Sequence, residues 1–303
     1  MGLVHTVGLV LHPQRDSVPA IDTIMEWARR RDVTVLGLPD EVDRIFCGAI
    51  AVGPEELAAR SSLLVSLGGD GTMLRTMRLG AGRTTPVLGV NLGRLGFLPE
   101  IDVDGLPAAL SAIDNQHYSI ESRLAVRTTL PGDHEVTAFN DIALCRIPGD
   151  GLAGVAITVE DHAFVRYAAD AVIVATPTGS TAYAFSSGGP IVSPTVRAVL
   201  VTAAAAHSSF NRALVLSADE QLALQVLPTS GRLAVEVDGR VDGYVGPGDR
   251  LPITALPDAG RVVRLGLTTF YERARRKLQV RGSAEVDGPG DLGAAAHVSH
   301  TAR

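Results

Sequence analysis

The sequence predicts an α/β, doubly wound N-terminal domain followed by an all-β, sandwich-like C-terminal domain. Three observations carry this prediction. Over the first third, short apolar runs alternate with helix-periodic segments, as in a parallel sheet covered by helices. From about Arg123 to Leu267 the helical patterns give way to many short β runs separated by Gly, Pro and Asp turns. The length of 303 residues suits two domains, and a hydrophobic content of 46% is enough to fill their cores.

Each element has a local cause. Thr6 to Leu11 is an apolar strand candidate. Ile21, Ile24, Met25 and Ala28 recur at helical spacing, with Ser17 upstream as an N-cap candidate. Val33 to Leu38 is a short β-branched strand, and Pro54 to Arg60 is a short helix that opens on proline. Ser62 to Leu67 and Thr85 to Val90 are apolar strands, each followed by a glycine-rich turn, and Gly105 to Ile113 is a further helix. In the β-rich part, Leu124 to Leu130, Gly154 to Glu160, Ala171 to Ala175, Gln221 to Leu227, Arg232 to Asp238 and Arg261 to Thr268 read as strands. Turns such as Asp238-Gly239 and Gly246-Pro247-Gly248-Asp249 separate them.

The expected organisation is an α/β domain over 1–118 and a β domain over 119–268. A last helix over 269–280 returns to the first domain and completes it. The tail over 281–303, rich in Gly, Ala and Ser, is expected to be disordered.

A net charge of −6 argues against a nucleic-acid binder held by phosphate neutralisation. Small anions remain open to it, because backbone amides and a few arginines hold them locally. The two cysteines, Cys47 and Cys145, cannot form a disulfide scaffold, and no Cys/His cluster has zinc spacing. No signal peptide and no apolar stretch of membrane-spanning length is evident, so the expectation is a cytoplasmic protein without a membrane partner.

The sharpest motif is Leu67-Gly68-Gly69-Asp70-Gly71-Thr72, between an apolar strand and a helical pattern. Glycines let a phosphate or ribose approach the backbone, and the following helix offers free N–H groups to an anion. Asp70 reads either as a helix cap or as the carboxylate that accepts the proton of a substrate hydroxyl. The turn is neither a Walker loop nor the dinucleotide Gly-x-Gly-x-x-Gly fingerprint. A second turn, Asn91-Leu92-Gly93-Arg94-Leu95-Gly96-Phe97-Leu98, is a structural loop or places Asn91 or Arg94 in a cleft. A third, Thr176 to Tyr183 with Ser186 and Ser187, feeds a hydroxyl-rich loop from a buried strand, and Tyr183 is a candidate to lie against a base. Asn140-Asp141 offers directional acceptors for a sugar diol, or a plain turn. Asp170 is a purine or ribose contact, or a solvated turn carboxylate.

In this order the four motifs resemble the NAD kinase family, over about Val7 to Lys277. The glycine-aspartate turn alone is shared with lipid kinases and 6-phosphofructo-kinases, whereas the Thr176 to Tyr183 loop together with the Asn91 loop is more specific. The resemblance implies a Rossmann-like first domain and transfer of the terminal phosphoryl of ATP, or of polyphosphate, to the 2′-hydroxyl of the adenosine ribose of NAD. It implies Asp70 as general base and Gly71 as the residue that admits the ribose. Arg75 falls at a basic position near phosphate. Asn140, Asp141, Asp170, Thr178, Thr181, Ala182, Tyr183, Ala184, Phe185 and Ser186 fall at positions lining the NAD site, and Arg240 adds a polar contact. Mg²⁺ or another divalent cation would arrive with ATP, and a homodimer or homotetramer is expected. The chain departs from the family where Asp141 replaces the usual Glu, Ala171 the usual Gly and Ala168 a frequent basic residue. Competing readings are a lipid kinase of the same superfamily and a non-catalytic NAD(P)-binding regulator. The polar Thr176 to Ser187 loop weighs against the first and the intact Asp70 turn against the second.

Overall fold

A computed structural model describes residues 4–45, 47–93, 96–208 and 210–280. The expected disordered tail, and Arg94 and Leu95 of the second turn, lie outside the described residues. One compact unit spans Met1–Leu267 and a second begins at Thr268.

In the first unit, β1 (Thr6–Leu11), β2 (Thr34–Gly37), β3 (Ile50–Ala51), β4 (Leu63–Gly68) and β5 (Val87–Asn91) pair in the order β3-β2-β1-β4-β5, all parallel. β6 (Ile101–Asp102) adds in parallel to β5. The connecting helices are α1 (Val18–Arg30), α2 (Pro39–Ile45), α3 (Pro54–Arg60), α4 (Asp70–Leu79) and α5 (Leu106–Asp114). α1 and α5 bury Ile21, Ile24, Leu106 and Leu110 against Val7, Leu9 and Val65 in one core. α3 and α4 bury Leu57, Met73 and Met77 against Val10, Leu64 and Val87 in another. Alternate residues of β1 therefore enter different cores, as helices on both faces of a sheet require. The strand order turns back between β1 and β4. At such a switch point the adjoining loops diverge to opposite faces and open a crevice at the carboxyl ends of the strands.

Twelve further strands follow: β7 (Ser119–Leu130), β8 (His134–Ala138), β9 (Asp141–Arg146), β10 (Ala153–Val159), β11 (His162–Ala169), β12 (Ala171–Ala175), β13 (Ala198–Ala204), β14 (Leu214–Ser217), β15 (Leu222–Val226), β16 (Leu233–Val237), β17 (Arg240–Val245) and β18 (Arg250–Arg264). A six-stranded antiparallel sheet runs β14-β13-β12-β9-β16-β17. Its inward side chains, among them Ile142, Leu144, Val172, Val174 and Val235, share one core with Val126, Val155, Ile157, Leu224 and Ile253 of the facing strands. This is the expected sandwich, with alternation placing every second residue inside. The facing sheet does not end with the sandwich. β18 pairs antiparallel with β7 and β15 and meets β5 in parallel at Val262 and Val87, so a twelve-stranded sheet runs through both parts.

The expected cap at Ser17 is not formed: its hydroxyl is buried without a partner, and Asp16 Oδ1 accepts the Val18 N–H at 2.9 Å instead. Ser17 has turn-like dihedrals rather than the extended backbone that a capping serine adopts. In the second unit, α7 (Phe270–Lys277) opens on a capping box between Thr269 and Glu272 and ends on Arg275, Arg276 and Lys277, which suits the helix dipole.

Candidate active site

The Gly68 to Thr72 turn lies at the switch point. β4 ends at Gly68, Gly69 takes the N-cap position, and α4 begins at Asp70 itself. Asp70 does not turn back to cap its own helix. Its carboxylate reaches the second glycine turn, where Oδ2 accepts the Phe97 N–H at 3.1 Å and Oδ1 the Leu98 N–H at 2.9 Å. The two motifs are thus one assembly with Asp70 at its centre. Gly96 is what permits it: a Cβ there would lie 2.1 Å from Asp70 Oδ1. Asn91 is buried and its side-chain amide donates to the Gly93 carbonyl, so it serves the loop and does not face the cleft.

A cavity of about 450 Å³ opens beside Asp70. Its walls carry His12, Arg15, Gly69, Asp70, Gly71, Thr72, Arg75, Arg78, Asp238 and Arg240. Its four guanidinium groups face the carboxylates of Asp70 and Asp238 and, behind Arg75, that of Glu41, which leaves an excess of positive charge of the kind that holds phosphate. The structure therefore brings the sequence-predicted Asp70, Gly71, Arg75 and Arg240 to one place. Arg75 is anchored there: its guanidinium pairs with Glu41 of α2 and donates to the Leu11 carbonyl at 2.9 Å, while Glu41 Oε2 accepts the Leu11 N–H at 2.7 Å.

Asp238 joins this cavity to the next group. It occupies the β16–β17 hairpin turn, where Asp238 and Gly239 both take positive φ (49° and 76°), the dihedrals of an Asp-Gly turn that matches strand twist. Its buried carboxylate pairs with Arg78 of α4 and accepts the Asn140 N–H at 2.7 Å, and its own N–H donates to the Asp141 carbonyl at 3.0 Å. Asn140-Asp141 is thereby fixed to the cavity wall.

The third loop packs on the same pair. Thr176 N–H donates to the Asn140 carbonyl at 2.8 Å and Thr176 Oγ1 to the Phe139 carbonyl. Gly179 passes so close that a Cβ would lie 2.0 Å from the Asn140 carbonyl oxygen. Thr178 to Thr181 form a 3-10 turn, followed after Ala182 by the single-turn helix α6 (Tyr183–Ser186). Burial, then the neighbouring Asp238 and Glu236, push the Asp141 carboxyl up to about 7. Burial and Glu236 likewise push the Cys145 thiol up to about 12. Tyr183 and Ala184 pack on the outer face of the antiparallel sheet against Ala143, Ala171, Ile173 and Ala175. The Tyr183 hydroxyl is raised above its ordinary range by burial and by the fields of Cys145, Glu236, Asp170 and Asp141. Asp170 belongs to this second group, half-exposed and paired with Arg146 at 2.5 Å. Phe185 is exposed at the outer side of α6.

Residues 7–118 match the ATP-NAD kinase N-terminal domain, and residues 139–265 match the ATP-NAD kinase C-terminal domain. The chain belongs to the NAD kinase family. It is 36% identical to NAD kinase 1 of Streptomyces avermitilis, over 94% of this chain and 90% of that one. It is 37% identical to the NAD kinase of Heliobacterium modesticaldum, over 90% and 98%. Among solved structures it resembles a yeast NADH kinase complexed with NADH, at a TM-score of 0.80 and 25% identity over 92% of this chain and 88% of that one. It also resembles an NAD kinase from Archaeoglobus fulgidus in complex with ATP, at a TM-score of 0.69 and 25% identity over 90% and 97%.

His12, Arg15, Arg78 and Asp238 line the cavity, and Glu41 anchors Arg75 beside it, without belonging to any of the sequence motifs. The strand-order rule is the signal that finds the first two, because the loop after β1 must border any crevice that the loop after β4 borders.

Proposed function

We propose that this chain transfers the terminal phosphoryl group of ATP to the 2′-hydroxyl of the adenosine ribose of NAD, giving NADP and ADP. The observation that carries the reading is Asp70, held by the second glycine turn in the wall of an arginine-lined cavity whose other wall, Asp238, holds the Asn140-Asp141 pair. In the reaction the ribose oxygen forms a bond to the γ-phosphorus and the bond to the β–γ bridging oxygen breaks. The electron pair leaves on ADP, and the hydroxyl proton passes to Asp70. A carboxylate oxygen accepts more than one hydrogen bond, so the amides of Phe97 and Leu98 orient Asp70 without barring it from a hydroxyl. Arg15 and Arg240 supply charge to the phosphates, Arg75 and Arg78 being paired with Glu41 and Asp238, and most of the acceleration comes from positioning.

We assign the divalent cation to the nucleotide, as MgATP. No group of three metal-binding side chains converges among the described residues, and Asp238 is committed to Arg78. The partly buried Tyr183 ring is assigned to contact a ring of NAD, with Asn140 and Asp141 beside its ribose. We further propose a homo-oligomer in the cytoplasm. Phe164 and Val215 are about half exposed on β11 and β14, the end strands of the two sheets, which supports pairing of subunits there. Purified protein supplied with MgATP and NAD is expected to form NADP, read with an NADP-specific dehydrogenase. A parallel arm with polyphosphate as donor identifies the phosphoryl source. Tight NAD binding without product in either arm refutes the reading.

A further inference from the structure

The turn after β1 holds a histidine that motif reading leaves without a role. His12 N–H donates to the Leu67 carbonyl at 2.8 Å, which ties the residue to the end of β4. Its Nδ1 accepts the backbone N–H groups of both Gln14 and Arg15, each at 3.1 Å. Backbone amides only donate, so Nδ1 keeps its lone pair and the ring proton resides on Nε2. Burial, then the charges of Arg15, Arg44 and Arg75, hold this imidazole below the ordinary histidine range, in the same sense as the hydrogen bonds. The ring lines the cavity that also contains Asp70, Arg15 and Arg75.

We propose that His12 is a binding residue for the phosphoryl donor, a neutral imidazole whose Nε2–H donates a hydrogen bond to a phosphate oxygen of the nucleotide. This rests on the reading of the cavity as a nucleotide phosphate site. The arginines supply charge with broad direction, whereas a neutral ring fixed by two main-chain bonds supplies one donor at a set angle. Because Nδ1 is occupied, the ring takes up no proton from the acceptor hydroxyl, and that task stays with Asp70. The pyrophosphate of NAD offers the same oxygen chemistry, and the experiment separates the two sources.

His12→Asn is the discriminating variant. Its Oδ1 takes the place of Nδ1 and accepts the same two amides, so the turn persists, but no atom reaches the position of Nε2. A hydrogen bond to a charged group is expected to be worth roughly a tenfold change or more. KM for ATP should rise by about that factor, with KM for NAD within about twofold. If His12 merely shapes the turn, His12→Asn matches wild type and only His12→Ala is impaired, which overturns the proposal. Selective change in KM for NAD overturns it equally. The wild-type chain gives a test that needs no variant to fold. Nitrogen NMR of the histidine-labelled protein near neutral pH should show an Nε2–H tautomer at His12 whose signal moves with MgADP and not with NAD alone. An imidazolium, an Nδ1–H tautomer, or a response to NAD only contradicts it. A wild-type enzyme that forms no NADP refutes the function itself, whereas an active wild type with an indifferent His12→Asn refutes only this inference.

Discussion

Gly96→Ala is expected to disable the enzyme while leaving its fold standing. The added Cβ would lie 2.1 Å from Asp70 Oδ1 and 2.6 Å from its Cγ. Ordinary contact between such atoms needs more than a further ångström, so one side must move. The obstructed group is a short side chain and not backbone, so the relief is rotation of Asp70 away from Gly96. That rotation breaks the bonds from Phe97 and Leu98, each to a charged acceptor and worth about 1.5–3 kcal/mol in place. Water recovers part of this at a site that is not fully buried, so the melting temperature should fall by only a few degrees. The catalytic cost is larger, because misplacing a reacting group by ~1 Å costs about 10²-fold. Steady-state NADP formation should show kcat lower by about that factor, with KM for NAD within a few-fold. Thermal unfolding followed by circular dichroism measures the other half. Turnover close to wild type would mean that the Asp70 carboxylate need not sit where Phe97 and Leu98 hold it.

Other perturbations separate the remaining parts. Asp238→Asn keeps an acceptor for the Asn140 amide but removes the partner of Arg78. A fully buried pair loses about 3–5 kcal/mol in such a change, and the partial exposure of Arg78 reduces this to roughly 2–3 kcal/mol, read from denaturant midpoints. Gly179→Ala places a Cβ 2.0 Å from a main-chain oxygen of Asn140, which cannot rotate away, so NAD affinity and melting temperature should fall together. Asp141 is protonated in the folded state up to about 7 against an ordinary 3.8, so the folded chain binds more protons between these values. Its contribution to stability is therefore present at low pH and lost as pH rises through that window. Asp141→Asn should gain in melting temperature relative to wild type between about pH 4 and pH 7, with no further gain above. A difference independent of pH contradicts the assignment.

The parts legible in the sequence are those set by local pattern. Ala171 to Ala175 is an uninterrupted apolar run because β12 is buried on both faces, and Pro54 to Arg60 opens on the proline that suits a first helical turn. The Gly68 to Thr72 turn announces phosphate chemistry because its glycines and its aspartate answer to one local geometry. β18 is less legible. It carries Pro252 and Pro257, and Asp258 has a positive φ at a break in register between Leu256 and Gly260, so only Arg261 to Arg264 at its end fall within the strand expected over Arg261 to Thr268. Arg78 and Asp238 are 160 positions apart, and Glu41 meets Arg75 across 34. No spacing rule predicts such pairs, because each depends on which strands become neighbours. His12 is intermediate: its side chain gives no motif, but it follows the first strand of an alternating strand–helix pattern, whose ligands bind at the carboxyl ends of the strands.

Asp70→Asn, assayed for NAD binding and NADP formation in one preparation, tests the central claim most directly. The Asn side chain retains one acceptor for the second turn and cannot take the hydroxyl proton. NAD affinity should stay within a few-fold of wild type, while turnover with MgATP falls by roughly 10²-fold or more. Wild-type turnover in this variant would remove Asp70 from proton transfer, and with it the account of why the two glycine turns converge on a single carboxylate.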